Sequence, residues 1–312
     1  MAEKITKPIY AIAGPTASGK TELAVALALH LGNAEIVNFD SVQIYRGIEI
    51  ATAKPSAEER RGVVHHLIDY VSPETNYTAA DWARDAAEKI VEIESEGKTV
   101  ILVGGTGFYL RTLKNPFFES PPTDEKLRER LRKIKANKGA EYLHKILRRV
   151  DPALAGKLFP RDYVRTMRGL EVFFQTGRRL SAVQPERREP PEFADRIKIF
   201  VLNPPRPQLY EKINRRAQIH FDNGLVDEVK NLRKKGLRDD TNALGAHGYR
   251  RVCEIFRGER TLESAIEQTK QDVRNYAKRQ LTWFRRENDA VWLDGFGDTP
   301  KTLEILIQII ES

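Results

Sequence analysis

The stretch Pro8-Ile-Tyr-Ala-Ile-Ala-Gly14-Pro-Thr-Ala-Ser-Gly-Lys-Thr21 leads straight into Glu22-Leu-Ala-Val-Ala-Leu-Ala-Leu29. An apolar run, a glycine-bounded turn and a helix-forming run, in that order, describe a phosphate cradle. The spacing Gly, four residues, Gly-Lys-Thr lets backbone N–H groups curl around a phosphate chain. The expected binding loop is therefore Gly14, Pro15, Thr16, Ala17, Ser18, Gly19, Lys20 and Thr21. Lys20 reaches the outer phosphates, Thr21 offers a hydroxyl to Mg²⁺, and the following helix adds its positive N-terminus. The alternative, a turn that merely joins strand to helix, is disfavoured by that context. A polyphosphate ligand follows, its identity still open.

Outward from the cradle, short β-rich runs alternate with helical ones at residues 9–13, 21–31, 35–39, 78–96 and 99–103, which predicts an α/β fold with a parallel sheet. Asn115-Pro-Phe-Phe-Glu-Ser-Pro-Pro-Thr-Asp124 breaks the pattern with three prolines and ends in a good helix start. Residues 125–176 read as helical and basic, and a second proline-rich stretch at 184–192 closes the block. Ile197-Lys-Ile-Phe-Val-Leu202 resumes the strand pattern, so the block interrupts one sheet rather than following a finished domain. Helical patterns return at 208–221, 226–235, 249–257 and 262–286, with a candidate edge strand at Ala290-Val-Trp-Leu293. The expected organisation is a P-loop NTPase-like parallel α/β core at 1–120 and 193–312, with C-terminal helices, and an inserted basic all-helical domain at 121–192.

A chain of 312 residues, 40% hydrophobic, carries enough apolar surface to fold alone. No apolar run reaches the roughly 20 residues that span a bilayer, and residues 1–7 hold no apolar leader, so a cytoplasmic protein without a membrane partner is expected. Cys253 is the single cysteine, which excludes an intramolecular disulfide and a cysteine-based zinc finger. The six histidines lack metal-ligand spacing, and adjacent His65 and His66 on a strand would face opposite ways. The net charge of +8 is unevenly placed: Pro121 to Pro190 holds 18 Lys and Arg against 9 Asp and Glu, leaving the remainder close to neutral. A solvated helical face explains many charge runs, yet segregation on this scale favours a nucleic-acid surface. No long exposed apolar helix demands a partner, and a monomer is expected.

The second strand runs out in Asn38-Phe-Asp40-Ser41, which delivers a carboxylate and a hydroxyl to the phosphate rim. Asp40 is thus a catalytic candidate, against the plainer reading of an Asp-Ser turn or helix cap. Val100-Ile-Leu-Val-Gly-Gly-Thr106 brings glycine backbone and the Thr106 hydroxyl to the same crevice. A P-loop hydrolase would end that strand in Asp; Gly-Gly-Thr lowers the weight of motor-type NTP hydrolysis and leaves a small-molecule kinase open.

Six motifs in order, Gly14 to Thr21, Asp40-Ser-Val-Gln-Ile-Tyr45, Thr52-Ala-Lys-Pro55, His65-His-Leu-Ile-Asp69, Gly104-Gly-Thr106 and Tyr276-Ala-Lys-Arg-Gln-Leu-Thr-Trp-Phe-Arg285, resemble the tRNA dimethylallyltransferase (tRNA isopentenyltransferase) family in its short bacterial form. The likeness spans nearly the whole chain. It departs from the family pattern at Ala51, Val64, Arg161, Gly169 and His247.

The resemblance implies transfer of a dimethylallyl group from dimethylallyl diphosphate to the exocyclic amine of the adenosine just 3′ of the tRNA anticodon. The P-loop then holds the leaving diphosphate with Mg²⁺ at Thr21, and Arg216, in Lys212-Ile-Asn-Arg-Arg-Ala217, adds a guanidinium; a solvated helix residue is the alternative for Arg216. Asp40 is the implied base, Thr106 orients the amine, and Ser41, Val42 and Gln43 line the arriving adenine's path. The implied tRNA contacts are Arg128, Val164, Arg165 and Arg168 in the insertion, then Gly245, His247, Gly248, Tyr249 and Arg250, then Lys278, Arg279, Gln280, Trp283 and Arg285. Lys270, Arg274, Lys278 and Arg285 fall on one helical face. Tyr276 and Trp283 either stack on bases or pack in the core. Three rivals remain: an adenylate isopentenyltransferase acting on free AMP, ADP or ATP, a P-loop nucleotide kinase, and an RNA-binding P-loop module without catalysis.

Overall fold

A computed structural model describes residues 7–118, 121–186 and 188–312. Six strands, β1 (Ile9–Ala13), β2 (Ala34–Asn38), β3 (His65–His66), β4 (Thr99–Gly104), β5 (Ile197–Asn203) and β6 (Val291–Asp294), form one sheet in the order β3-β2-β4-β1-β5-β6. Every pairing is parallel. β1 is central and buried along its whole length, which is why Ile-Tyr-Ala-Ile-Ala carries no polar alternation.

Period-two geometry sends alternate β1 residues to opposite faces. Ile9, Ala11 and Ala13 join Val37, Leu102 and Val201 on the face covered by helices Ala79–Ser95 and Gly107–Lys114. Tyr10 and Ile12 join Ile36, Ile101 and Leu202 under helices Lys20–Leu31 and Pro300–Glu311. Trp82 anchors the first face. It is fully buried, stacks on Tyr109 at a centroid distance of 5.1 Å, and donates its indole N–H to the Asn38 carbonyl at 2.9 Å. Its helix begins with a capping box between Thr78 and Asp81.

A third apolar cluster packs Ile44, Tyr45 and Ile48, from the loop after β2, against Leu225, Val229, Tyr249, Val252 and Cys253. Burial pushes the Cys253 thiol up to about 12, so it stays protonated and unreactive. The helices Gly107–Lys114 and Pro300–Glu311 and the two-residue β3 went unforeseen in the sequence. β3 is too short for any periodic signal; Glu35 holds it by accepting from His66 Nε2 and Lys98 Nζ, each at 2.6 Å.

Asn115–Pro190 is a compact unit in itself, and Met1–Lys114 with Pro191–Ser312 makes the other. Glu119, Ser120 and Arg187, within the proline-rich stretches, fall outside the described residues. Asp124 caps helix Glu125–Lys138, accepting the Leu127 N–H at 3.0 Å. Helices Ala140–Val150 and Tyr163–Thr176 complete a core of Leu131, Leu143, Leu147, Leu154 and Leu170. Buried Glu171 accepts from both Arg128 and Arg168, which satisfies a carboxylate that would otherwise be costly to bury.

Gly169 sits inside helix Tyr163–Thr176, where an added Cβ would meet Leu154 Cδ2 at 2.6 Å and Leu147 Cδ1 at 2.8 Å. The leucine methyls fill the space that a side chain at this position would take. Gly169→Ala gains about 1 kcal/mol of helix propensity but overpacks the core by about 1–3 kcal/mol. Its denaturation midpoint should therefore fall rather than rise; a rise would show that the leucines yield without cost.

Candidate active site

After β1 the backbone enters the left-handed region at Ala17 (φ 65°) and Gly19 (φ 84°) before helix Lys20–Leu31 begins. A Cβ on Gly19 would stand 2.7 Å from the Asp298 nitrogen, and the neighbouring Gly297 N–H donates to the Ser18 carbonyl at 2.8 Å. Glycine is required there by both conformation and close approach. Ala17 has no such freedom, so its conformation costs on the order of 1 kcal/mol and is held from outside. Thr16 N–H donates to Gln280 Oε1 at 2.8 Å, and the Arg216 guanidinium donates to Thr16 Oγ1. Lys20 Nζ folds back onto the Pro15 carbonyl at 2.7 Å.

Burial pushes the Lys20 ammonium down to about 8, with Arg216 adding to the effect and Asp40 opposing it. Burial likewise lowers Arg216 against the pull of Asp40. His220, one turn beyond Arg216 on helix Arg206–Asp222, is pushed to about 4 by burial and then by Arg216, and is neutral at pH 7. Two cations and one carboxylate thus share a poorly hydrated crevice, an excess of positive charge that a polyanion relieves.

Asp40 Oδ1 accepts the N–H groups of Val42 at 2.8 Å and Gln43 at 3.3 Å. The plain turn-capping role read from sequence is therefore real, but it occupies one oxygen; among the described residues Oδ2 accepts no hydrogen bond. Thr106 Oγ1 accepts from Ser41 N at 3.2 Å and donates to Ser41 Oγ at 3.4 Å. A cavity of about 350 Å³ opens on Thr16, Asp40, Ser41, Val42 and Arg216, and continues past His220 and Tyr276 to Gly245 and His247. Cradle, carboxylate and guanidinium face one space.

Helix Leu262–Phe284 organises this crevice. Gln280 is buried, and besides holding Thr16 it donates Nε2 to the Gly105 carbonyl at 3.0 Å, so one amide ties the cradle to the end of β4. A Cβ on Gly105 would lie 2.0 Å from that Nε2, and one on Gly107 2.1 Å from Trp283 Cδ1. These glycines exist for the approach of the helix, a purpose the strand-end pattern concealed. Trp283 packs edge-on to Phe108 at 6.0 Å beneath the Arg111 guanidinium at 4.6 Å. Tyr276, two turns earlier in the cavity wall, touches the His247 ring at 5.0 Å.

The middle motifs lock each other. Gln43 Nε2 donates to the Thr52 and Ala53 carbonyls at 3.2 and 2.7 Å, and Lys54 Nζ bridges Asp69 at 2.5 Å, Glu49 at 3.0 Å and the Tyr45 carbonyl at 2.7 Å. Ala53, Leu67 and Asp69 all take positive φ, so this wall is strained as well as cross-linked. Tyr249 is fully buried, donating to Glu228 Oε2 at 2.9 Å and accepting Ala51 N–H at 3.1 Å, and Gly248 is buried beside it. Lys278, Arg279, Arg285, Arg250 and Gly245 are exposed. The basic face is narrower than its spacing suggested, since Lys270 pairs with Glu267 and Arg274 with Asn214. Arg165 and Val164 are exposed in the helical unit, where Arg165 pairs with Asp162.

Residues 43–287 match the family model described as IPP transferase. The chain belongs to that family. Among IPP transferase relatives, tRNA dimethylallyltransferases of Geobacter metallireducens and Geobacter sulfurreducens are 45% and 47% identical, covering 94% and 91% of this chain and 94% and 90% of theirs. The solved tRNA isopentenylpyrophosphate transferase of Bacillus halodurans superposes with a TM-score of 0.71 at 36% identity, over 98% of this chain and 96% of that one. A eukaryotic dimethylallyltransferase acting on tRNA superposes at 0.77 with 26% identity, over 98% and 80%.

The lowered Lys20 fixes the sign of one pH effect. The ammonium is charged below about 8 in the free protein and lost above it, so affinity for inorganic pyrophosphate should fall toward tenfold per pH unit above that point. Lys20→Arg should flatten this limb of a calorimetric titration series; an unchanged limb would exclude Lys20 as its source.

Proposed function

We propose that this protein transfers a dimethylallyl group from dimethylallyl diphosphate to the exocyclic amine of the adenosine 3′ to the tRNA anticodon. The observation that carries the reading is the single cavity onto which Thr16 and Arg216 of the diphosphate end and the Asp40 carboxylate all open. As the allylic C–O bond breaks, its electron pair leaves with the diphosphate. The loop N–H groups, Lys20 and Arg216 stabilise that charge more as it grows than in the ground state. The amine lone pair forms the new C–N bond while Asp40 Oδ2 takes the amine proton, with Oδ1 held in place by Val42 and Gln43. Thr106, fixed through Ser41, orients the amine.

Mg²⁺ fits this site as a partner of the donor. Among the described residues no group of three His, Cys, Asp or Glu side chains could cage a metal, and Mg²⁺ commonly binds through few protein ligands plus phosphate oxygens and water. Thr21 would hold it, and the ion would neutralise diphosphate charge.

The exposed cations Lys278, Arg279, Arg285 and Arg250 support tRNA rather than a mononucleotide as acceptor, as does exposed Arg165 of the basic helical unit, whose Arg128 and Arg168 are instead engaged by Glu171. Gln280, Tyr249 and Trp283 are assigned to shaping the wall, their side chains being engaged within the protein. Among the described residues no helix is long and apolar enough to cross a membrane.

Radiolabelled dimethylallyl diphosphate with Mg²⁺ should label unmodified tRNA and not AMP, ADP or ATP. Label in a mononucleotide would move the protein to the adenylate branch, and ADP formed from ATP would make it a kinase. Asp40→Ala should slow labelling at least about a hundredfold with nearly unchanged tRNA affinity; near-normal turnover would remove Asp40 as the base.

A further inference from the structure

Phe159 is 81% exposed, more than any other large apolar side chain among the described residues. It is not loose. Leu158 before it is buried in the helical unit's core, and the Phe159 carbonyl accepts the Asp162 N–H at 2.9 Å, closing a tight turn with Pro160 at its second position. The unit's other exposed aromatics have ring partners: Tyr142 lies under Lys138 at 4.6 Å, and Phe174 packs on Phe173 at 5.8 Å. Among the described residues the Phe159 ring has none. Exposed Lys157, Arg161 and Arg165 lie within six residues of it along the chain, Arg161 being 87% exposed and Arg165 70%.

A rigidly presented bare aromatic in a basic stretch of chain suits one kind of partner. An apolar protein surface would have to desolvate the neighbouring cations. A nucleic-acid loop offers a flat base to the ring and phosphates to the Lys and Arg side chains. We infer that Phe159 is a stacking platform for an unpaired base of the RNA substrate's loop, so that the helical unit senses loop structure as well as backbone charge. The inference rests on the tRNA reading above. Arg161 and Arg165, partly offset by Glu141 and Asp162, supply the electrostatic share, and Phe159 supplies the share that distinguishes a loop from a duplex.

The test measures binding of the full chain to an anticodon stem-loop RNA and to a blunt fully paired RNA duplex, at several salt concentrations. Phe159→Ala should weaken stem-loop binding about tenfold, within the range of one lost stacking contact, and leave duplex binding unchanged. Phe159→Trp should restore it. The slope of log K against log salt should stay constant in both variants and become shallower in Arg165→Ala, which loses a charge. Thermal melts report whether each variant is folded, and the exposed position predicts unchanged midpoints. Equal stem-loop affinity for wild type and Phe159→Ala would overturn stacking while leaving the proposed function intact. Equal losses on both RNAs, or no rescue by Trp, would also overturn it. Failure of the wild-type protein to bind either RNA would overturn both readings.

Discussion

Positive charge confined in a poorly hydrated crevice is the constraint on which the rest of the structure depends. Lys20 and Arg216 would both be more comfortable in water, as the lowering of each by burial shows, and the Asp40 carboxylate compensates them only in part. Such an arrangement persists because surrounding elements enforce it. Gln280 holds the loop to β4, Arg216 holds Thr16, and the Gly297 N–H holds Ser18 from the far edge of the sheet. A polyanion that is also a leaving group is the ligand for which this preorganisation yields catalysis rather than binding alone, because charge grows on it during the reaction.

The same economy appears in the loops. Asp40 caps a turn with one oxygen and keeps the other for the cavity, and Lys54 ties together three segments whose motifs are distant in sequence. Structural and chemical duties therefore fall on the same residues, and single substitutions here act on both.

Much of the core was legible in the sequence because its signals are local. β1, the cradle, β2, β4, β5 and β6 show as apolar runs of strand length, and the helical block shows as prolines bracketing a basic periodic segment. What escaped was decided by distant partners. Nothing in Gly104-Gly-Thr-Gly107 announces that two of its glycines make room for Gln280 and Trp283. Gln280 reads as an accessible polar residue of a basic helix, yet it is buried, and His220 reads as an ordinary helix end although its i+4 relation to Arg216 puts it on the cavity face. Burial cancels part of the apparent basic stripe, since Lys270 and Arg274 find partners that spacing alone cannot show.

The central claim is that the cradle holds a group that leaves, not a phosphoryl group that is transferred. The most direct measurement places a heavy-oxygen label at the bridging position between the allylic carbon and the diphosphate of the donor and follows it through one turnover with tRNA. Cleavage of the C–O bond predicts that the label departs in intact diphosphate, one equivalent for each prenyl group gained by the RNA. Label retained on the five-carbon fragment, or released in monophosphate, would mean that a P–O bond breaks and would contradict the account.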